Sequence, residues 1–192
     1  GALLVFDEVM TSRMSTGGAQ LRLGITPDIT TLGKYLAGGM TFGAFGGRAD
    51  VMAAFDPMRG GTMTHGGTFN NNVVTMAAGA AAMRELLDEA TLETVFARGE
   101  RFRADIAAVL ATSSLPMCVS GYGSLLTIHT VPGPVTSPDD LDGGDVVLKE
   151  LVFHELVDRG FYLAARGYMA LSSAITDDDC AAFVEALADI TA

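Results

Sequence analysis

Short continuous apolar runs alternate along this chain with longer stretches of helical spacing. Residues 3–6 form an apolar run ending in Asp7-Glu8, the pattern of a parallel strand covered on both faces. Beyond a loop containing Gly17-Gly18, residues 27–32 give a second β-rich run that ends at Gly33-Lys34. Gly38-Gly39 and Gly46-Gly47 bracket a third run, 41–45, and residues 49–55 predict a short helix. Ligands of open α/β sheets gather at the carboxyl ends of the strands, where Asp7 falls.

Residues 58–67 read as a Gly/Thr-rich loop, and 68–88 as a long Ala-rich helix with Asn70, Asn71 and Asn72 near its start. A second helix is predicted over 92–110, with Phe102, Ile106, Val109 and Leu110 on one face. From Pro116 the character turns α+β. Residues 117–131 are strand-like, 132–144 form a Pro/Gly/Asp loop, and Leu148, Leu151, Val152 and Leu156 mark a helix. Residues 161–172 hold two strand-like runs around Arg166-Gly167. The last helix opens on Thr176-Asp177-Asp178-Asp179, a capping-box pattern with acids in the first turn. The whole predicts an α/β chain of two domains, 1–90 and 91–192, without internal repeats.

Composition narrows the function. Of 192 residues, 49% are hydrophobic and 18% charged, enough apolar material for a core. The 23 acidic residues against 12 basic ones give a net charge of −11, the wrong sign for a nucleic-acid groove. A local cationic pocket for a small anion remains compatible with that balance. Cys118 and Cys180 are too few and too separated for a disulfide framework or a zinc site, and read as small core hydrophobes of a reduced, cytoplasmic protein. His65, His129 and His154 have no metal-ligand spacing and read as structural. The longest apolar stretch, 73–83, is interrupted by Thr75 and is too short to span a bilayer, so no membrane association is expected. The chain opens directly on a core-like strand without an initiator methionine, and is expected to be truncated at its N-terminus.

Asp7 and Lys34 each close a strand-like run, and adjacent parallel strands would bring their ends into one crevice. A lysine amine becomes useful chemically in a partly desolvated site or as a Schiff base. An aspartate can keep a pyridine nitrogen protonated, making the ring an electron sink. Val9, two residues past Asp7, would share its strand face and could lie under a flat ring. Spacing alone favours the plainer reading, a solvated loop lysine and a strand-end acid.

The stretch LLVFDEVMTSR…GGAQLRLGITPDITTLGKYLAGGMTFGAFGGRADVM, with THGGTFNNNVVTMAAG and ARGYMALS, resembles the class III aminotransferases, including the glutamate-1-semialdehyde aminomutases. DEVMTSR, GGMTFGAFGG, GGTFNNN and ARGYMALS are most similar to the β-phenylalanine (β-amino acid) aminotransferase subgroup. The resemblance implies the C-terminal part of a fold-type I transferase: the end of the large-domain sheet and an α+β small domain. It implies pyridoxal 5′-phosphate as cofactor, Lys34 as the Schiff-base lysine, Asp7 as partner of the pyridine nitrogen and Val9 as apolar support. Thr68 would give its hydroxyl and N–H to the cofactor phosphate of a neighbouring subunit, in a homodimer with a shared active site. A helix N-terminus would suit that anion; an ordinary N-cap is the alternative. Arg166 would bind a substrate carboxylate, the alternative being a surface arginine. Arg13 is expected to stabilise its loop through an ion pair. The phosphate loop, ring-stacking aromatic and second substrate arginine of the family's N-terminal half have no counterpart here. The implied reaction is transamination between an amino acid and an oxo acid such as 2-oxoglutarate. An aminomutase on the same scaffold and a catalytically silent fragment are the rivals.

Overall fold

The structure is a computed structural model describing residues 1–60 and 63–192. Gly61 and Thr62, in the loop expected across 58–67, lie outside the described residues. The chain divides into two compact units, Gly1–Glu93 and Thr94–Ala192. Both combine helices with a three-stranded sheet, mixed in the first unit and antiparallel in the second.

The first unit is built on a three-stranded sheet of β1 (Val5–Asp7), β2 (Ile29–Gly33) and β3 (Gly43–Gly47). β1 and β2 run parallel, with Asp7 opposite Thr31. β3 returns antiparallel to β2, because the turn after Gly33 is too short for a crossover. Between β1 and β2 lies the six-residue helix α1 (Gly18–Leu23), closed by Gly24 in the left-handed region at φ 65°. The short helix α2 (Ala49–Met52) follows β3. Contrary to expectation, β1 is the uncovered edge of this sheet, with Leu3, Leu4 and Val5 all exposed. No layer of the described chain lies over its apolar run.

The long Ala-rich helix is shorter than predicted: α3 runs Val73–Glu85 rather than from residue 68. Asn71 takes a left-handed φ of 56°, and Asn72 then caps the helix, its Oδ1 accepting from the N–H groups of Val74 and Thr75. The division between the units falls within α4 (Glu89–Thr112).

The second unit closes around its own core. Val95, Phe102, Ile106 and Leu110 of α4 form a stripe at helical spacing, and Ile106 is fully buried. They meet Leu126 and Ile128 of the sheet, Val152 and Leu156 of α5 (Val146–Asp158), and Phe183 and Leu187 of α6 (Asp177–Thr191). The strand-like stretch 117–131 is a hairpin of β4 (Cys118–Tyr122) and β5 (Leu125–His129), with Gly123 at φ 54° in its turn. β6 (Tyr168–Ala170) pairs antiparallel on the far side of β5. Only this second of the two runs expected around Arg166 is a strand; residues 161–164 lack ladder partners. The predicted capping box of α6 is present, Thr176 and Asp179 each satisfying the other's backbone N–H.

Candidate functional site

The parallel pairing of β1 and β2 sets the site. Asp7 is the last residue of β1, and its Oδ1 accepts from Thr31 Oγ1 at 3.0 Å and from Val9 N–H at 3.1 Å. Both bonds fall on one oxygen, Oδ1. Lys34 stands three residues beyond Thr31, directly after β2, at the same end of the pair as Asp7. It is exposed and has a φ of 54°. A side-chain-bearing residue in the left-handed region costs about 1–2 kcal/mol, so its neighbours must hold it there.

Those neighbours are identifiable. Residues Lys34–Ala37 form a 3-10 turn closed by Gly38 at φ 61°. This turn lies against α3 with backbone nearly touching backbone. A Cβ on Gly38 would sit 2.8 Å from the Ala78 carbonyl oxygen, and one on Gly79 would sit 2.8 Å from that of Leu36. Two glycines on opposite elements thus permit the approach that fixes the lysine turn. Sequence reading did not single out Gly79; its signal was a lone glycine inside an Ala-rich helix.

Val9 reaches the site by a different route from the one expected. β1 ends at Asp7, so strand alternation does not govern Val9. Its side chain packs instead at Gly33, where an added Cβ would lie 3.5 Å from Val9 Cγ1. Val9 is therefore beside the backbone that precedes Lys34.

Glu8 was also missed by sequence reading. It follows Asp7 directly, just past the end of β1, and is almost fully buried at 1% exposure. Its carboxylate accepts from the N–H groups of Ala19 at 3.2 Å and Gln20 at 2.8 Å and from the Thr11 hydroxyl. The Asp-Glu pair thus divides its labour: Asp7 faces outward and Glu8 ties the loop and α1 to the sheet. Arg13 makes no ion pair among the described residues; its guanidinium lies 5.2 Å from the Tyr35 ring centroid. Burial is the main cause raising the Tyr35 phenol above its ordinary pKa.

Thr68 is exposed, in a turn before α3 rather than at its first residue. Thr68 is therefore not at the helix N-terminus expected of it, and Asn72 caps that end instead. Nearby, an open groove of about 1160 Å³ is lined by Phe42, Phe45, Phe55, His65, Phe69 and Asn70 among others, and Asp7 and Lys34 are not among them. His65 stacks edge-on to Phe45 at 5.1 Å.

In the second unit, Arg166 is exposed on the turn before β6, with its guanidinium 5.1 Å from the Tyr168 ring centroid. His129 is buried, its Nε2 2.7 Å from Ser120 Oγ, and burial and then Lys149 lower its pKa. His154 stacks on Phe153. Both cysteines are free, Cys180 within the core. Among the described residues no group of three or more potential ligands could hold a metal, and no helix is long and apolar enough to cross a membrane.

The chain is 50% identical over 187 residues to a beta-phenylalanine transaminase of Variovorax paradoxus, covering 97% of the chain and 43% of that protein. The crystal structure of a beta-phenylalanine aminotransferase from the same organism matches at 49% identity and a TM-score of 0.94, over 98% of this chain and 44% of that one. A glutamate-1-semialdehyde 2,1-aminomutase of Nitratidesulfovibrio vulgaris (strain DSM 19637 / Miyazaki F) is 39% identical over 194 residues, covering 100% of the chain and 45% of the relative. A solved transaminase with PLP bound matches at 30% identity and a TM-score of 0.87, over 100% of this chain and 44% of that one. The chain thus spans less than half the length of these proteins. The sequence profile of the family described as aminotransferase class-III matches residues 1–191. With a lysine turn, an outward aspartate and this match along nearly its whole length, the chain belongs to the class III aminotransferases.

Proposed function

We propose that the protein carrying this chain is a pyridoxal-5′-phosphate-dependent aminotransferase. It passes the amino group of a β-amino acid such as β-phenylalanine to an oxo acid such as 2-oxoglutarate. The observation that carries this reading is Lys34, held at φ 54° just past the carboxyl end of β2, at the same end of the parallel pair as Asp7. Strain of this kind is retained where a residue must present its side chain in one direction.

The residues present suit the cofactor chemically. Lys34 offers an amine to an aldehyde, Asp7 Oδ2 an acceptor to a ring N–H, and Val9 an apolar contact to a flat ring. When bound, the cofactor supplies an electron sink for the carbon that carries the substrate's amino group. Lys34 would hold the cofactor through its amine, and the free Nζ would serve as the base for the proton on that carbon. Asp7 holds the ring N–H, while Thr31 and the Val9 N–H keep the carboxylate oriented. Arg166 offers a fork of donors to the acceptor's carboxylate.

Thr68 serves the cofactor phosphate through its hydroxyl and its own N–H, across a homodimer interface. The apolar exposure around it supports burial there by a second subunit: Phe69 is 85% exposed and Val73 80%. On this reading residues 1–90 belong to the cofactor-binding domain and 91–192 to the small domain.

A second reading, isomerisation of glutamate-1-semialdehyde, draws on the 39% identity to an aminomutase. The full-length protein, loaded with cofactor, should convert β-phenylalanine to its 3-oxo acid only when 2-oxoglutarate is present, with glutamate formed in equal amount. Conversion of glutamate-1-semialdehyde without an external acceptor would establish the second reading instead. No spectral change on adding pyridoxal 5′-phosphate would identify a silent chain.

A further inference from the structure

Arg166 sits on a short turn whose backbone is tied down on both sides. The Gly167 N–H donates to the Ala164 carbonyl at 2.8 Å, and the Ala164 N–H to the Tyr168 carbonyl at 3.2 Å. The Gly167 carbonyl accepts from Ile128 N–H of β5 at 3.0 Å. Gly167 is at φ 86°, and a Cβ there would run into the Ile128 carbonyl, so the turn cannot shift without leaving the sheet. With the backbone fixed, Arg166 changes position only by rotating its exposed side chain. One resting place for that side chain is visible: the ring of Tyr168, half-buried at the start of β6 in register with Thr127.

We infer that the Tyr168 ring is the parking site of the Arg166 guanidinium, and so a specificity-determining positioning residue; this rests on the reading of Arg166 as the carboxylate-binding residue. An enzyme that takes in turn an acceptor with two carboxylates and a donor with one carboxylate and a phenyl group needs a guanidinium for the acceptor's second carboxylate and none against the phenyl group. A cation–π contact suits the absent state. It holds the guanidinium without a competing carboxylate, and it is weak enough to yield to a bidentate ion pair. The strength of the stack therefore sets the balance between the two substrates. A ring that competes with the acceptor must weaken acceptor binding and assist the donor.

The test uses the full-length protein with 2-oxoglutarate, pyruvate and β-phenylalanine. Tyr168→Leu should lower KM for 2-oxoglutarate by about two- to five-fold, the range of an exposed cation–π contact. It should raise KM for β-phenylalanine and leave kcat at saturation unchanged. Tyr168→Phe, which keeps the ring, should behave as the parent. In an Arg166→Ala background, Tyr168→Leu should no longer alter selectivity. General damage to β6 would raise both KM values, so parallel changes, no change, or a phenylalanine variant that behaves as leucine would each overturn the inference. Should Tyr168→Leu fail to accumulate as folded protein, Tyr168→Met supplies the same contrast. An Arg166→Ala variant that treats 2-oxoglutarate and pyruvate alike would instead overturn the assignment of Arg166 itself, and the parking site with it.

Discussion

The two units are held together by different physics. The second has a closed core in which α4, α5 and α6 meet one face of an antiparallel sheet, with Ile106, Leu156 and Leu187 wholly removed from solvent. In the first, the buried apolar residues are mostly single and small, such as Ala19, Ala37 and Ala82 beside Met14. Order there comes from the buried Glu8 carboxylate, from Gly38 and Gly79 at the lysine turn, and from the Asn72 cap. Meanwhile Leu3, Leu4, Val5, Phe69, Val73 and Met83 lie exposed. Of the proposed site residues, the unit with the finished core carries only Arg166. The unit with the lysine and the aspartate leaves several large apolar side chains exposed. Reactive geometry here is specified by hydrogen bonds and close backbone approach, stability by apolar packing, and the two are largely segregated.

The sharpest way to separate them is at Lys34. Lys34→Ala in the full-length protein should abolish transamination while leaving the melting temperature near that of the parent. Lys34→Gly should be equally inactive yet melt higher, since relief of the left-handed φ is worth about 1 kcal/mol. Near-parental turnover in either variant would end the role of this lysine. Equal melting of the two would show that the turn is not strained.

Packing should respond in the opposite sense. Ile106→Ala, at a position with no exposure, should cost about 2–5 kcal/mol in denaturant unfolding. Met83→Ala, at 58% exposure, should stay within about 0.5 kcal/mol when this chain is studied alone. A large loss at Met83 in the isolated chain would contradict the picture of an open apolar face.

These contrasts also explain what could be read in advance. The second unit follows periodicity: the α4 stripe, the helix marked by Leu148 and Leu156, and the Thr176 cap all result from burial on one side of a regular element. Val109 joins that stripe only as a partly buried neighbour. Where periodicity gives way to local geometry, reading fails. The start of α3 was displaced because Asn71 in the left-handed region and Asn72 as cap outweigh the apolar pattern of 68–72. The expected cover over β1 rested on its continuous apolar run, which records that a strand is apolar and not what lies above it. Glu8 and Gly79 act through contacts distant in the chain, which no short window contains.

Thr31 tests whether the hydrogen-bonded half of the comparison extends to the aspartate. Thr31→Val keeps the β-branched shape of the strand and removes only the hydroxyl donated to Asp7 Oδ1, leaving the Val9 N–H in place. Loss of one such bond is worth about 1 kcal/mol, or roughly five-fold in turnover, with the unfolding midpoint unchanged. An unaltered rate would mean that the Val9 N–H alone orients the carboxylate.

The smallest effect concerns pH, and it belongs to the second unit. Burial, and then the charge of Lys149, lower the pKa of His129, whose Nε2 lies 2.7 Å from Ser120 Oγ. Unfolded, the same imidazole titrates at about 6.5. A base whose folded value is depressed stays neutral in the native state while the unfolded chain takes up its proton. Stability from this group is thus fully present above the unfolded value and declines as pH falls through it. Asp140, Asp177 and Asp179 have lowered pKa values, and as carboxylates they lose their contribution only in more acid solution. Between pH values of about 7.5 and 5.5 the histidine therefore acts alone among these groups. Amide protection of the β4–β5 hairpin should decrease over that interval, and His129→Gln should flatten the dependence. Lys149→Gln, which removes one of the two causes, should shift the decline to slightly lower proton demand and make it shallower. Protection that increases on acidification, or a slope untouched by His129→Gln, would place the sensitivity elsewhere in the unit.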